Sequence, residues 1–436
     1  MHKTRPAQIT SPVVSLNGGQ VKAIPMAAIT GAIGIGIALA TSMISGGGVK
    51  RFLMTYLASY CFVLSIGVGC LFFVTIMHLT RAGWSATIRR IAEIYAMCLL
   101  PMFLLFLPIL IPLLLFGDNT VYEWAQPGYS AHGAEVDSNN LPPIETLKGA
   151  FLHPVFFAIR ILFYFGVWGL LGYTYLSRSL KQDETGDKTI TAKLQGLAAP
   201  FLLMFAVTVV FSSFDLEMSL SPLWFSTMFP VYFFAGGFGA ALSTILLTCM
   251  YLQRSGRVTD EITIEHYHDL GKLMQGFVIF WGYIAFSQFL LIWYANIPEE
   301  TFWYHPRING DGWKPMTYVL LIGHLFIPFF LLMGRALRRN RKLLTFSAIW
   351  LLCLHWLDHY WLVMPEYGRT LAREPHEHYS IHENFTFSGL GAIGDLTCGI
   401  GMAAIFIALF CWIAGDRALV PLKDPRLGEA LNHEVH

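Results

Sequence analysis

Ten apolar runs of about 20 residues, separated by polar segments, constrain this chain more than any other feature. They fall near residues 23–44, 52–78, 91–116, 150–176, 194–214, 223–252, 270–296, 315–335, 343–363 and 389–414. A run of this length crosses the hydrocarbon core of a bilayer as one helix, which satisfies its own backbone polar groups where no water can. The 436 residues are 55% hydrophobic and 13% charged, whereas soluble domains carry about 25% charge. The expected fold is therefore an all-α integral membrane protein with about ten transmembrane helices.

Charge placement supports that count. With the N-terminus in the cytoplasm, 21 of the 29 Lys and Arg residues fall on cytoplasmic segments, seven fall outside and Arg160 lies within a helix. This three-to-one bias predicts ten crossings with both termini cytoplasmic. The first 22 residues are polar and only weakly basic, unlike the start of a cleaved signal, so the first apolar run is expected to be retained as a helix. The net charge of +1 is uninformative about nucleic acid, and no basic run is interleaved with aromatics, so no nucleic-acid partner is expected. All seven cysteines lie in apolar segments without a C-x-x-C, so neither an iron-sulfur cluster nor a zinc site is expected. Two outer loops stand out: the acid-rich 117–149, and 364–388 with His376, His378 and His382. A partner-facing surface is the preferred reading for the histidine loop, with a metal site as the alternative.

An internal repeat organises the helices. Thr75-Ile76-Met77-His78-Leu79-Thr80-Arg81-Ala82-Gly83 and Thr248-Cys249-Met250-Tyr251-Leu252-Gln253-Arg254-Ser255-Gly256 share the pattern T-x-M-x-L-x-R-x-G at an offset of 173. Four apolar runs separate the two copies, so both point the same way. Asp215 and Asp358 then close the fifth and ninth runs in comparable settings, with Ser212 where the second copy has His355. The reading is two parallel four-helix bundles, residues 52–215 and 216–365, preceded by a tail and first helix (1–51) and followed by an outer loop, tenth helix and tail (366–436).

Chemistry is expected where ionisable side chains sit at membrane depth, because each such charge costs on the order of 2.5–3.5 kcal/mol on insertion scales. The candidates are Glu93, His153, Arg160, Asp215, His324, His355, Asp358, His359 and Asp395. His355, Asp358 and His359 are three and four residues apart and share a helical face, a pattern suited to passing protons. His324 lies midway along the preceding apolar run and is expected to pack nearby. Arg160 keeps its charge and must find a partner, for which Asp215 is the nearest candidate. Glu93 reads either as an ion pair with Arg89 and Arg90 or as a proton entry point. A haem held by His324 and His355 is disfavoured, since no histidine pair recurs at a second depth.

The N-terminal stretch through Gly83, the Phe211–Pro222 segment and the His355–Pro365 segment, with the repeated bundles, resemble the polysulfide-reductase-type (NrfD-like) membrane subunits. Within that family they look most like a subunit of the bacterial alternative complex III, which implies a multi-pass protein of a bacterial inner membrane. The resemblance implies a subunit of a quinol-oxidising electron-transfer complex with no catalytic residue, metal or redox cofactor of its own. Haem and iron-sulfur centres would belong to partners: a sister NrfD-like subunit, an iron-sulfur protein and multihaem cytochromes c. Under this expectation His324, His355, Asp358, His359, Asp395 and Glu93 form a proton pathway, and His153, Arg160 and Asp215 are candidate contacts for a quinol such as menaquinol. The alternatives are a proton-coupled secondary transporter and a purely architectural anchor in membrane lipid.

Overall fold

The computed structural model describes residues 9–11, 13–115, 121–125, 151–310, 312–367 and 389–434. Most of the acid-rich loop and all of His376, His378 and His382 lie outside them. Each expected crossing forms a helix: α1 (Gln20–Ile44), α2 (Gly48–Leu79), α3 (Gly83–Leu115), α4 (Pro154–Thr185) and α5 (Thr189–Leu216), then α6 (Phe229–Arg254), α7 (Ile264–Ala295), α8 (Lys314–Met333), α9 (Arg341–Val363) and α10 (Gly389–Ala414). Among the described residues there is no strand. Nine of these helices are long and apolar enough to cross a membrane; α9 is the exception by composition. Its 23 residues suffice in length, but His355, Asp358 and His359 dilute its apolar character. The chain is a multi-pass membrane protein.

Helix ends run past the apolar stretches because polar residues continue the helical backbone into water. α4 carries on to Thr185, where Gly186 stops it in a left-handed conformation at φ 68°. α2 starts at Gly48, which draws Arg51 into its first turn and buries it. Arg51, one residue before the apolar run expected to begin at 52 and one of the seven basic residues counted on outer segments, is thus a buried helix residue.

α2 and α6 are the hubs of the packing. α2 packs on α3, α4 and α5 and also on α9, and α6 packs on α7 and α9, while α8 fills the space between α7 and α9. α2 and α6, the first helices of the two sets, pack against each other at the centre, and α1 and α10 pair along their length outside both sets. α2 is buried along nearly its whole length. Large apolar side chains such as Ile33, Leu162, Phe286, Leu291 and Phe330 are exposed on the outer faces, as a hydrocarbon solvent allows.

The central crossing depends on the absence of a side chain. A Cβ on Gly69 would lie 2.7 Å from the Gly237 carbonyl oxygen and 2.6 Å from Ala241 Cβ, and one on Gly237 would meet Ser65. Small residues let membrane helices approach closely and gain dispersion contacts where lipid offers no hydrophobic drive. Gly69→Val is therefore expected to part α2 from α6 and destabilise the protein by about 1–3 kcal/mol. A lower midpoint in thermal unfolding of the detergent-solubilised chain checks this; an unchanged midpoint would show that the crossing is slack.

Two helices are irregular. α3 breaks at Cys98, between segments Ala86–Met97 and Leu99–Leu115, three residues before Pro101, whose ring crowds the carbonyl of Met97. Pro108 and Pro112 lie inside the second segment without interrupting it. α8 widens into a π-helical turn at Leu321–Phe326. Pro328 follows two residues later and cannot bond to the carbonyl of His324, and Trp350 Nε1 donates to the Gly323 carbonyl at 2.7 Å. These breaks fall in the second helix of the first set and the third helix of the second, so they do not correspond.

Candidate functional site

The polar residues of α9 meet partners from three other helices and from the segment just past α5. His355 Nε2 lies 2.8 Å from Ser65 Oγ of α2, and His359 Nε2 lies 3.3 Å from the same oxygen. On its other side His359 Nδ1 is 2.5 Å from Glu217 Oε1, just past the end of α5. Asp358 turns elsewhere: Tyr232 of α6 donates its hydroxyl to Oδ1, and Trp281 of α7 donates Nε1–H to Oδ2 at 3.1 Å. The expected single patch is thus two connected sets of hydrogen bonds, because 355 and 359 lie within 40° on a helical wheel whereas 358 is rotated away.

Trp281 links the sets to α8. Its ring packs on His324 with centroids 4.1 Å apart, and the His324 ring lies 6.3 Å from that of His355. His324 therefore does pack beside α9, presented by the π-helical turn. Such turns recur at functional sites because the extra residue re-aims a side chain. His324 Nδ1 and His355 Nδ1 are buried and have no hydrogen-bond partner among the described residues. α6 also walls the site at Gly236, where a Cβ would lie 3.0 Å from His355 Cε1. Phe62 and Phe233 pack on His355 and His359 respectively.

Proton accounting at Ser65 defines what this arrangement can do. The hydroxyl carries one proton and has three neighbours: the two imidazole nitrogens and the Phe62 carbonyl at 2.8 Å. A carbonyl only accepts, so when Ser65 donates to Phe62 both imidazoles must donate to Ser65 through Nε2–H. His359 Nδ1 and Glu217 then share one further proton, as imidazolium with carboxylate or imidazole with carboxylic acid. When the Ser65 hydroxyl rotates to donate to His359 Nε2, that imidazole donates Nδ1–H to the Glu217 carboxylate and the pair holds one proton fewer. Rotation of one hydroxyl thus connects two protonation states.

The other candidates occupy separate networks. Arg160 donates Nε–H and Nη2–H to the two oxygens of Asp215 at 2.8 and 2.7 Å, and Nη1–H to the Phe151 carbonyl at 2.7 Å. Tyr164 adds a hydroxyl at 2.7 Å to Asp215, which is 0% exposed, and the Phe151 ring lies 3.8 Å from the guanidinium carbon. The expected Arg160–Asp215 partnership is present. His153 is exposed at the start of α4, and no contact among the described residues joins it to that pair. Asp395 accepts from Arg51 at 3.0 Å, Thr55 at 2.8 Å and Tyr360 at 2.7 Å, tying α2, α9 and α10 together.

Glu93 is fully buried between Arg90 at 3.2 Å and Arg89 at 3.4 Å. Arg90 also pairs with Asp183 at 2.7 Å and Arg89 with Asp424, so five charged groups close a network at the opposite ends of the helices from Glu217. The ion-pair reading of Glu93 is the one the geometry displays. No group of three or more His, Cys, Asp or Glu among the described residues is arranged to hold a metal ion.

Residues 155–369 match the polysulphide reductase NrfD family. The match spans α4 to α9 and includes Arg160, Asp215, Glu217, His324, His355, Asp358 and His359; Ser65, Glu93 and Asp395 lie outside it. No curated protein matches the chain. The NrfD-like segment thus supplies both carboxylates and every histidine of the site, and α2 completes it with Ser65.

Ser65, Glu217, Tyr232 and Trp281 were not foreseen. Glu217 lies beyond the apolar run of α5 and reads as a loop residue, although it is only 4% exposed. Its one signal is position, two residues past the aspartate that closes the run.

Proposed function

We propose that this chain is a membrane subunit of a quinol-oxidising electron-transfer complex of the alternative complex III type, closest to its ActF subunit. It holds no redox centre and carries protons through the second bundle, residues 216–365. The observation that carries this reading is the continuous line His355–Ser65–His359–Glu217, in which α2 supplies Ser65 and the NrfD-like segment supplies the other three residues. The electron carriers belong to partner subunits: an iron-sulfur protein, multihaem cytochromes c and a sister NrfD-like chain.

In this reading His324 receives a proton and passes it toward His355, Ser65 relays it by rotation, and His359 delivers it to Glu217. Asp358 has neutral donors rather than a cation as hydrogen-bond partners, so it gains or loses a proton without breaking an ion pair. It serves in the relay beside His355 as a carboxyl group that exchanges a proton. Asp215 differs, since both of its oxygens accept from the Arg160 guanidinium. Glu93 and Asp395, also paired with arginine, serve as anchors flanking the path. Of the three candidate quinol contacts, His153 is the one left available, because Arg160 and Asp215 occupy each other.

A secondary transporter would be expected to break corresponding helices in its two halves. Here the breaks at Cys98 and Leu321–Phe326 fall in non-corresponding helices, which favours the subunit reading. Isolation from native membranes tests it. The expected result is co-purification with haem-absorbing and iron-sulfur polypeptides in fixed ratio. A chain that isolates alone and drives solute uptake in vesicles would overturn it.

A further inference from the structure

The groove between the end of α6 and the start of α9 has a chemistry that the proton path does not use. It encloses about 490 Å³ and is lined by Arg254, Arg341 and Lys342 together with Gln253, Thr259 and Thr345. None of the three cations makes an ion pair among the described residues. Their neighbours are committed: Arg339 pairs with Glu265, and Arg338 donates to Gln275 at 2.6 Å and to the Leu332 carbonyl at 2.6 Å. Arg341 has only the Tyr267 ring, 5.4 Å from its guanidinium carbon.

The polar wall is held in place without using the cations. Gln253 donates its amide to the Ile262 carbonyl at 2.6 Å and accepts from Tyr267 at 2.8 Å. Thr345 donates to the Arg341 carbonyl at 2.8 Å and contacts Met250 Sδ at 3.0 Å, joining α9 to α6 at the groove floor. Three unneutralised cations around a preformed cavity favour an anion with several acceptor oxygens.

The surface continuing from the cations is apolar. Along α9, Phe346 and Ile349 are exposed four and seven residues after Lys342, on the same helical face and toward the membrane interior, and Tyr251 is exposed on α6 beside Arg254. A soluble anion gains nothing from such a stripe, whereas an acyl chain does. We propose that this groove is a binding site for an anionic phospholipid, with the headgroup phosphate among Arg254, Arg341 and Lys342 and the acyl chains along Phe346 and Ile349. The site stands independently of the proton path.

The test uses the purified full-length protein in neutral detergent and native mass spectrometry with added phosphatidylglycerol, phosphatidylcholine or inorganic phosphate. The expected result is preferential retention of phosphatidylglycerol, with each cation worth about fivefold in affinity. The preference should fall about 100-fold in R254Q/R341Q/K342Q and about fivefold in K342Q alone, and weaken with salt. R178Q, on α4 and outside the groove lining, should leave it unchanged. Equal retention of the two lipids, a triple variant that keeps the preference, or phosphate bound as tightly as phosphatidylglycerol would each overturn the proposal. All three side chains are at the surface, so the substitutions leave the fold intact, as an unchanged thermal midpoint verifies.

Discussion

Asp215→Ala is expected to destabilise the protein by about 3–5 kcal/mol, the effect of leaving a buried cation without its carboxylate. Arg160, itself buried, would retain among the described residues the Phe151 carbonyl and the flanking rings. The measurement is unfolding of the solubilised chain by heat or denaturing detergent. The double substitution Arg160→Met with Asp215→Leu should recover most of the loss, since replacing a buried pair by apolar groups of similar volume is often neutral. If the double variant is as unstable as the single one, the pair acts through Tyr164 rather than through its charge balance.

The second large effect is on turnover. Asp358→Asn keeps an acceptor for Tyr232 or Trp281 and nearly the same volume, but removes the exchangeable proton and the negative charge beside the histidines. Loss of a positioned proton-transfer group typically costs 10²- to 10⁴-fold where that transfer limits the rate. Quinol-dependent turnover of the assembled complex should therefore fall at least tenfold, with Asp358→Glu recovering part of it. Unchanged subunit composition of the purified variant would separate this from a failure of assembly. Full turnover in Asp358→Asn would remove the carboxylate from the mechanism.

Much of the architecture was legible because bilayer thickness dictates helix length. The apolar runs near 343–363 and 389–414 coincide closely with α9 and α10. The Arg160–Asp215 pair was legible too, because an arginine at membrane depth must be neutralised and the chain offers one carboxylate nearby. Hydropathy erred where polar residues extend a helix: Arg51 reads as a loop charge, yet α2 begins at Gly48 and buries it on Asp395.

The site was legible only from one side. The spacing of His355, Asp358 and His359 shows a face of α9, but periodicity cannot say which helix meets that face. Ser65 lies 290 residues from His355 in sequence and shares a helix with many equally apolar turns. Asp215 and Asp358 look equivalent in the repeat, and their difference resides in partners on other helices: a guanidinium for the first, a phenol and an indole for the second. The repeat records the common scaffold, while the chemistry comes from how the two copies are packed.

The most direct test of proton movement through His355, Ser65, His359 and Glu217 is the number of protons released per electron transferred, measured in proteoliposomes containing the complex with Glu217→Gln. The substitution keeps a hydrogen bond to His359 but cannot accept the proton. The account predicts a lower ratio than in the unmodified complex, with electron transfer continuing when the membrane potential is collapsed. An unchanged ratio at full turnover would contradict it.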